Sequence, residues 1–501
     1  METVTETKST SVPTFVFPCS TSSRSLISGR KVYDYASGGA SGLNFCNLTA
    51  AITHNNAGDY VYVHVWLPLE GWNGRFLATG GGGLVAGSDT NLPVPVSQGY
   101  AAGATDAGLT LNHTIDPTSG LWTLNSDNSP NWELVENFAK RSIHDLTVLG
   151  KEAVKAYYKK KPHHSYYSGC STGGRQGYAA AQYYPNDFDG IMAAAPAYFS
   201  PRLTPGLFWP SVVLGNIIAP PQCVFEAYEA DINAFCDPLD GAVDQLVGDP
   251  DHCNYDPRKL IGTTINCDQT GGEISINDEH AQVVERILEG ARGINGDFLW
   301  YGLAPGAGFN GMANTRTTEN GTVAVPFDAA EIWIRFLVLQ DPDYNTAAMT
   351  FADFERIHHR SVELLSPRIG TDDADLSAFQ RVGGKLITWH GYSDQLISHE
   401  SSIRMREVLE KNMGKRNVEK FQRLFLAPGA AHCRGGLGPV PADPLTSVVA
   451  WVERGDAPRT LFASTTAGPG GVNITRNLCP WPQILTYKGG DVNSAESFKC
   501  K

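Results

Sequence analysis

Two parts of the chain consist of short apolar runs that alternate with helical segments. Between residues 59 and 108, the runs YVYVHVWLP, GRFLATGGGGL and GYAAGATDAG are separated by glycine turns, which is typical of successive strands. From Trp132 to Tyr158 apolar side chains recur at helical spacing, and a strand and a second helix follow around Ser171. The alternation resumes at GGKLITWHGYSD and continues to PLTSVVAWVERG. This pattern predicts the α/β class with a parallel sheet.

The segment between residues 200 and 380 has a different character. It is rich in proline, glycine and acidic loops, and it shows no regular alternation of strand and helix. A chain of 501 residues also exceeds the usual size of one hydrophobic core. We therefore expect a discontinuous α/β domain, residues 1–199 and 381–501, interrupted by an inserted domain, residues 200–380.

Charge and hydropathy exclude two classes of partner. The formal net charge is −13, and no basic run exceeds the short KKKP near residue 160, so we predict no nucleic-acid partner. No apolar stretch reaches the length of about 18 residues that a membrane span requires, so we predict no membrane partner either.

Cysteines and glycosylation motifs indicate an oxidising compartment. The ten cysteines are even in number and are not arranged in CxxC pairs, which favours disulfides. Four sequons lie at Asn47, Asn112, Asn320 and Asn473. The first residues, METVTETKSTSVPTF, show no signal peptide. We expect a secreted glycoprotein in its mature form, with an intracellular protein as the alternative.

Three separate motifs contain the residue types of a serine hydrolase. Residues 169–173 fit G-x-S-x-G, in which small residues permit a strained strand-to-helix turn that exposes the Ser171 hydroxyl. Asp394 in LITWHGYSDQLIS and His432 in LFLAPGAAHCRGG each follow an apolar strand, in the order Ser, Asp, His that α/β-hydrolases use. The alternatives are a tight turn without chemistry, an ordinary Asx turn and an unrelated histidine.

A cysteine adjoins two of these residues. Cys170 precedes Ser171 and Cys433 follows His432, so a meeting of the serine with the histidine would bring both cysteines within disulfide reach. Such a bridge would close a loop of about 260 residues and, in the chain-entropy model, destabilise the unfolded state by roughly 5 kcal/mol. The alternative is two buried free thiols.

The combination of GCSTGGRQG, HGYSDQLIS and PGAAHC resembles the tannase and feruloyl esterase family, whose serine hydrolases carry a CS-D-HC motif with a disulfide between the two cysteines. Further similar blocks are WNGRFL, GYAAGATDAG, FDGIMAAAPA, WIRFLVLQDPDY and DLSAFQRVGGKLITWHG. The resemblance implies an α/β-hydrolase fold with a large inserted lid domain. It also implies the catalytic residues Ser171, Asp394 and His432. The disulfide between Cys170 and Cys433 would hold the nucleophile loop to the histidine loop.

The resemblance further implies ester hydrolysis through an acyl-enzyme. The histidine would accept the serine proton, the aspartate would fix the imidazole tautomer, and water would release the acid. The oxyanion would be held by the backbone N–H of Thr172 and by a second N–H from the glycine run at residues 80–83, for which we select Gly82. A flexible turn is the alternative for this run.

A second candidate site lies in the inserted segment. In the loop CDPLDGAVDQLVGDPDHC the carboxylates of Asp237, Asp240 and Asp244 crowd together, and their repulsion favours a hard cation with oxygen ligands. The loop is similar to the calcium loop of this family's lid domain, which implies a structural Ca²⁺. The implied ligands are the carboxylates of Asp237, Asp240 and Asp244 and the carbonyl oxygens of Ala242 and Leu246. A solvated acidic loop is the alternative, and no organic cofactor is expected.

Sequence proximity suggests further disulfides, although sequence alone does not fix connectivity. The best supported pair, Cys236 with Cys253, brackets the acidic loop. The other predicted pairs are Cys223 with Cys267, Cys19 with Cys46, and Cys479 with Cys500.

The resemblance implies a serine carboxylic ester hydrolase acting on aromatic acids, hydroxycinnamoyl esters such as ferulates first and galloyl esters second, including phenolic esters of plant polysaccharide. Ser393 and Gln395 depart from the alanine and proline common in relatives, which we expect to alter the pocket floor. Aromatic residues of the lid could form a slot for a phenolic ring, with core packing as the alternative. These residues are Phe199, Phe208, Trp209, Trp300, Tyr301, Trp333 and Phe336.

Two other functions stay open. The first is an acyltransferase or lactone-processing enzyme of secondary metabolism that uses the same triad. The second is an inactive binding protein on a hydrolase scaffold, which retention of all three triad residues disfavours. The oligomeric state is not predicted.

Overall fold

The computed structural model describes residues 42–501 apart from residues 56 and 467. Two predictions lie outside the described residues: the missing signal peptide, and Cys19 as the partner of Cys46. Cys46 itself is disulfide-bonded.

Up to residue 194 the chain alternates strands with helices, as predicted. The strands are β1 (Phe45–Ile52), β2 (Val61–Pro68), β3 (Arg75–Thr79), β4 (Ala101–Thr105), β5 (His164–Cys170) and β6 (Gly190–Ala194). The helices are α1 (Pro93–Ser97), α2 (Trp132–Glu136), α3 (Ser142–Tyr158) and α4 (Thr172–Tyr183). A π-helical turn, Asn137–Arg141, joins α2 to α3, so the predicted helical segment is a helix pair. Strand β1 was not predicted.

The segment between residues 200 and 380, which was predicted to be an inserted domain, is mainly helical, with two short hairpins. Its helices are α5 (Ser200–Gly206), α6 (Trp209–Asn216), α7 (Gln222–Cys236), α8 (Asp278–Glu289), α9 (Asp328–Ile332) and α10 (Phe351–Ile369). Its strands pair as β7 (Thr264–Cys267) with β8 (Gly272–Ser275) and β9 (Asn314–Thr318) with β10 (Gly321–Val325).

The alternation then resumes, again as predicted. The next elements are α11 (Ser377–Arg381), β11 (Lys385–Gly391), α12 (Glu400–Met413), α13 (Lys415–Val418), β12 (Gln422–Ala427), β13 (Val440–Pro441) and α14 (Pro444–Arg454). The chain ends with β14 (Leu461–Thr465), β15 (Ile474–Leu478), β16 (Leu485–Tyr487) and β17 (Phe498–Cys500), which form small antiparallel sheets that were not predicted.

The main sheet has eight strands in the order β1-β2-β4-β3-β5-β6-β11-β12. Strand β3 pairs in parallel with both β4 and β5, whereas β1 and β2 are antiparallel. Because successive side chains of a strand point to opposite faces, the three valines of β2 are buried, whereas the tyrosine, histidine and tryptophan between them are half-buried. A mostly parallel sheet with intervening helices confirms the predicted α/β class.

The chain divides into two compact units. Unit 1 contains the described residues up to Ala193 together with Asp375–Leu386 and Val448–Gly455. Unit 2 contains Ala194–Ala374, Ile387–Ser447 and Asp456–Lys501. Compactness does not distinguish a catalytic domain from a lid, so the division at residues 200 and 380 stays a prediction.

Helix α3 packs closely on the sheet of unit 1 because glycines remove the intervening side chains. A methyl group on Gly150 of α3 would lie 2.3 Å from the ring of Phe76 on β3. Similarly, a methyl on Gly103 of β4 would lie 2.7 Å from Leu146 of α3. At Gly150 a methyl group would therefore overlap the buried Phe76 ring, whereas at Gly103 the Leu146 side chain would have to shift.

Disulfides hold several segments of unit 2. The structure joins Cys223 to Cys267, Cys236 to Cys253 and Cys479 to Cys500, which are three of the predicted pairs. Among the described residues, no helix is both long and apolar enough to cross a membrane.

A histidine bridges two carboxylates in unit 1. His54 contacts Asp59 through Nδ1 at 2.5 Å and Asp145 of α3 through Nε2 at 3.0 Å. The hydrogen bonds to Asp145 and Asp59 raise the pKa of His54 to about 9, although burial opposes this effect. The imidazolium thus links the loop between β1 and β2 to α3.

We predict that His54→Gln removes a pH-dependent part of the stability. Because the folded-state pKa is raised, the contribution is complete below the unfolded value near 6.5 and is lost as pH rises through about 9. The variant should lose about 2 to 3 kcal/mol in the free energy of unfolding at pH 6 and little at pH 10, measured by denaturant titration. His252→Gln, which alters an exposed imidazole, is the control. A His54→Gln deficit independent of pH would contradict the charged bridge.

Candidate active site

Ser171 occupies a strained turn between a strand and a helix. It lies directly after β5 and directly before α4, with φ 62° and ψ −124°. A positive φ is costly for a residue with a Cβ, and the surrounding structure must enforce it. This geometry is the turn that the G-x-S-x-G pattern predicts, and the Ser171 carbonyl accepts the N–H of Arg175 at 3.0 Å where α4 begins.

The small residues around Ser171 are required by close backbone contacts. A methyl group on Gly169 would lie 2.7 Å from the backbone of Gly173, and one on Gly173 would lie 2.9 Å from the carbonyl oxygen of Gly81. The Gly173 N–H donates to that same Gly81 oxygen at 3.0 Å. A methyl on Gly80 would lie 2.0 Å from the Tyr167 hydroxyl. The glycine run at residues 80–83 is therefore packed against the turn rather than free.

Side chains of α4 fix the glycine run. The Thr172 hydroxyl donates to the Gly83 carbonyl at 2.7 Å, and the Gly81 N–H donates to Gln176 Oε1 at 3.1 Å. The Gly80 N–H donates to the Ser168 carbonyl of β5 at 3.1 Å. Gly82, the predicted second oxyanion donor, is exposed, and a methyl on it would meet no atom within 4 Å.

The structure brings Asp394 and His432 together in unit 2. Asp394 follows β11 and is 2% exposed, and His432 lies in the loop after β12. His432 Nδ1 is 2.8 Å from Asp394 Oδ2. Burial alone would raise the pKa of Asp394, but the charge of His432 and the hydrogen bonds from His390 and His432 hold it well below its usual range. The carboxylate is therefore ionised and bonded to the imidazole.

Two neighbours of this pair make contacts that the sequence did not predict. The side chain of Gln395 accepts the His432 backbone N–H through Oε1 at 3.1 Å. His390, on β11, is 0% exposed and places Nε2 3.1 Å from Asp394 Oδ2. In the sequence, position 395 stands out only as a departure from relatives, and His390 lies in an apolar strand where a histidine suggests core packing.

The predicted cysteines beside Ser171 and His432 are both bonded. Cys170 ends β5 in unit 1, and Cys433 follows His432 in unit 2 with φ 58°. Each is disulfide-bonded, so the alternative of free thiols is wrong. The pairing of Cys170 with Cys433 stays a prediction.

The acidic loop of unit 2 is folded around its own carboxylates. Asp237 and Asp244 are 5% and 8% exposed, and the Asp244 N–H donates to Asp237 Oδ1 at 3.0 Å. Asp240 accepts the Ala242 N–H at 2.8 Å, and Asp244 accepts the Leu246 N–H at 3.0 Å. The loop is bracketed by the Cys236–Cys253 disulfide.

The charges of this loop are only partly compensated. Burial and the nearby charges of Asp244 and Asp237 raise the pKa of Asp240 to about 6. Arg476 of β15 pairs with Asp244. Burial nevertheless raises the pKa of Asp244 above its ordinary value. One guanidinium beside three carboxylates leaves two negative charges, which fits a divalent cation held by oxygen ligands.

The acidic loop also touches the loop that carries His432. A methyl group on Gly429, in the run PGAAHC, would lie 2.6 Å from Leu246 Cδ2. Asp251, just before the bracketing Cys253, accepts from His399 Nε2 at 3.0 Å. The acidic loop and the loop that carries His432, although distant in sequence, are therefore in contact through Leu246 and Gly429.

Two side-chain clusters of unit 1 also have the composition of a metal site. His163, His164 and Glu453 present possible ligand atoms within 4.8 Å of one another. However, Glu453 already accepts two hydrogen bonds at 2.7 Å from Arg75, and a cation there would face the guanidinium. The other cluster includes the His54 bridge, whose ring nitrogens both contact carboxylates.

Known proteins resemble this chain over most of its length. The tannase and feruloyl esterase family model matches residues 46–501. A probable feruloyl esterase from Arthroderma benhamiae is 42% identical over 467 residues, covering 91% of this chain and 86% of that protein. The solved tannin acyl hydrolase from Aspergillus niger has a TM-score of 0.83 at 26% identity, covering 92% of this chain and 86% of that one. Feruloyl esterase B from Aspergillus oryzae has a TM-score of 0.78 at 29% identity, covering 92% and 90%. The chain belongs to the tannase and feruloyl esterase family.

Membership of the tannase and feruloyl esterase family confirms two predictions. The fold is that of the α/β-hydrolases, as in the two solved relatives. The protein is a hydrolase of the carboxylesterase class.

The aromatic residues considered for a substrate slot are largely buried within unit 2. Trp300 and Trp333 are 1% and 2% exposed, and the Trp333 indole N–H donates to Ser361 at 3.0 Å. Trp209 donates to the Arg286 carbonyl at 2.9 Å. The burial of all three tryptophans and the hydrogen bonds of Trp209 and Trp333 favour core packing over a substrate slot.

We predict that Gly169→Ala disables the esterase through its turn. The added methyl group must displace the Gly173 backbone, and a displacement of this kind at a reacting group lowers kcat/KM by about 100-fold. The measurement is hydrolysis of an activated ester, together with thermal unfolding to detect misfolding. Gly272→Ala, at an exposed position with no atom within 4 Å, is the matched control. Wild-type activity in Gly169→Ala would show that the contact is not needed.

Proposed function

We propose that this protein hydrolyses esters of aromatic acids, ferulates and other hydroxycinnamates first and gallates second, through an acyl-enzyme on Ser171. The observation that carries the proposal is the 2.8 Å contact between Asp394 and His432 in a chain whose Ser171 lies in a nucleophile turn. The names of the relatives, feruloyl esterase and tannin acyl hydrolase, supply the class of acid. Small aromatic esters are therefore the expected substrates, with phenolic esters of plant polysaccharide among them.

The proposed chemistry assigns one role to each side chain. Asp394 accepts the Nδ1–H of His432, which leaves Nε2 to remove the Ser171 proton as the serine attacks the ester carbonyl. The imidazolium then gives this proton to the leaving alcohol, and the acyl group stays on the serine. In the second half-reaction Nε2 removes a proton from water, whose oxygen attacks the acyl group and releases the acid.

Backbone N–H groups of unit 1 are the proposed oxyanion donors. Thr172 is the first residue of α4, where the N–H has no partner within the helix. In the glycine run, the N–H groups of Gly80 and Gly81 are engaged by Ser168 and Gln176, and Gly82 follows them. These contacts support Thr172 and Gly82 as the pair that stabilises the tetrahedral intermediate.

The disulfide and the compartment belong to the same proposal. Cys170 and Cys433 adjoin Ser171 and His432, and a bond between them would maintain the spacing of the nucleophile and base loops. We further propose that the protein is secreted and glycosylated. Disulfide-bonded cysteines support this localisation, and each predicted sequon asparagine is exposed. These asparagines are Asn47, Asn112, Asn320 and Asn473.

A structural Ca²⁺ in the acidic loop is also proposed. The carboxylates of Asp237, Asp240 and Asp244 would hold it with the carbonyl oxygens of Ala242 and Leu246. The two uncompensated charges and the raised pKa of Asp240, to about 6, support a cation there. The ion would neutralise the loop and takes no part in the chemistry of the ester.

We predict that chelation destabilises the protein and that Asp240→Asn abolishes this response. An ion that binds only the folded state at 100 times its dissociation constant adds about 2.7 kcal/mol, so EGTA should lower the unfolding midpoint by about 3 °C for a chain of 501 residues. Calcium titration by calorimetry and thermal unfolding are the measurements. Glu273→Gln, at an exposed acid of β8, should keep the wild-type response. No calcium binding by the wild type would leave the solvated loop as the correct interpretation.

The function is tested by hydrolysis of three esters. We expect the purified protein to cleave methyl ferulate and, more slowly, methyl gallate, with methyl butyrate as the non-aromatic comparison. Ser171→Ala should reduce kcat by at least about 1,000-fold, since the nucleophile is lost. Product acid is measured by chromatography.

The outcomes separate the remaining candidates. Turnover of the aromatic esters that depends on Ser171 supports the proposal. If no ester is hydrolysed but a fluorophosphonate labels Ser171, the serine is activated and acyl transfer to an alcohol becomes the better hypothesis. If neither reaction occurs in the folded protein, a binding function on a hydrolase scaffold is favoured.

A further inference from the structure

One oxygen of Asp394 contacts two imidazoles. Oδ2 lies 2.8 Å from His432 Nδ1 and 3.1 Å from His390 Nε2, whereas Oδ1 accepts the backbone N–H groups of Leu396 at 2.9 Å and Ile397 at 2.8 Å. His390 and Asp394 are 0% and 2% exposed, so water does not compete for these bonds. Oδ2 of Asp394, the acid of the proposed triad, therefore accepts hydrogen bonds from both His390 and His432.

The surroundings of His390 fix the position of its proton. Nε2 is also 2.8 Å from the Ile397 carbonyl oxygen, which can only accept a hydrogen bond. Nε2 must therefore carry a hydrogen, and this hydrogen is shared between Ile397 and Asp394. On the other side of the ring, Nδ1 is 2.8 Å from the Ser402 hydroxyl of α12, which can donate to it. The ring is thus held between the loop at residues 394–397 and helix α12.

We propose that His390 is a positioning residue that limits how strongly Asp394 binds the proton of His432. Each hydrogen bond to a carboxylate oxygen reduces the electron density available to the other donor. By donating to Oδ2, His390 fixes the orientation of the carboxylate and weakens its stabilisation of the His432 imidazolium. The inference rests on the proposed function, because it concerns the same triad.

Few other charged groups share this environment. His399, at the start of α12, is also buried, but its Nε2 bonds Asp251 at 3.0 Å. Tyr392 packs its ring against His399 with centroids 4.8 Å apart. On the His432 loop, the neighbouring contact is from the uncharged side chain of Gln395. Among the described residues that contact Asp394, the titratable side chains are therefore His390 and His432.

Two amide substitutions separate a positioning role from simple packing. In His390→Asn the side-chain amide lies near the position of Nδ1 and reaches Ser402, but no donor reaches Asp394. In His390→Gln the longer side chain carries its NH₂ group near the position of Nε2 and can still donate to Asp394 and Ile397. Both variants lose the ring, so a difference between them reports the donor.

The test measures kcat and KM for methyl ferulate from pH 4 to pH 9, with thermal unfolding of each variant. We expect His390→Asn to lower kcat at least tenfold with KM changed less than twofold. The acid limb of its kcat profile should move to higher pH by about half a unit or more, because Asp394 now favours the imidazolium. His390→Gln should recover most of kcat and keep the wild-type acid limb.

Two results would overturn the positioning role of His390. Equal losses of kcat in the two variants, with unmoved acid limbs, would overturn it and leave His390 as a packing residue. A shift of the acid limb to lower pH in His390→Asn would overturn it as well. If the wild type does not hydrolyse methyl ferulate, the proposed function fails separately. The pH dependence of fluorophosphonate labelling of Ser171 in the same variants then tests His390, because labelling needs the base but not the ester.

Discussion

The arrangement around Asp394 follows from the burial of a charge. A carboxylate with 2% exposure must be compensated by hydrogen bonds or by positive charge, or it becomes neutral. Here two backbone N–H groups hold Oδ1 and two imidazoles reach Oδ2. These donors come from the loop after β11, from β11 itself and from the loop after β12, so one carboxylate holds three segments of unit 2. The pKa of Asp394 is lowered despite burial because the donors and the charge of His432 outweigh desolvation.

The serine depends on a different physical device. Ser171 is positioned by a backbone conformation that costs on the order of 1–3 kcal/mol for a residue with a side chain. Strand β5 and helix α4 approach each other and the glycine run closely enough to hold this conformation. Electrostatic compensation thus orients the acid and the base, whereas steric packing orients the nucleophile.

The sequence predicted the elements and residues whose signals are local. Strands β2 to β5 and the elements around Asp394 and His432 were predicted because apolar runs, glycine turns and motifs lie within short windows. The contact of Gln395 with His432, and that of Leu246 with Gly429, join segments distant in the chain, so no local pattern reports them. The role of His390 was not predicted for another reason. In the sequence, a histidine in an apolar strand gives the same pattern whether it only packs in the core or donates a hydrogen bond to an acid.

The close contacts of the glycines at the Ser171 turn limit which positions of this family can vary with substrate specificity. At Gly80, Gly169 and Gly173 even one methyl group would overlap neighbouring atoms, so these positions cannot change with the acid or alcohol of the substrate. The glycine-containing turn around Ser171 therefore indicates the type of reaction but carries no information about the substrate. Attempts to redirect such an enzyme by laboratory evolution should leave these three positions unchanged and diversify residues elsewhere. Likewise, a comparison of sequences that seeks to distinguish ferulate from gallate specificity should exclude them.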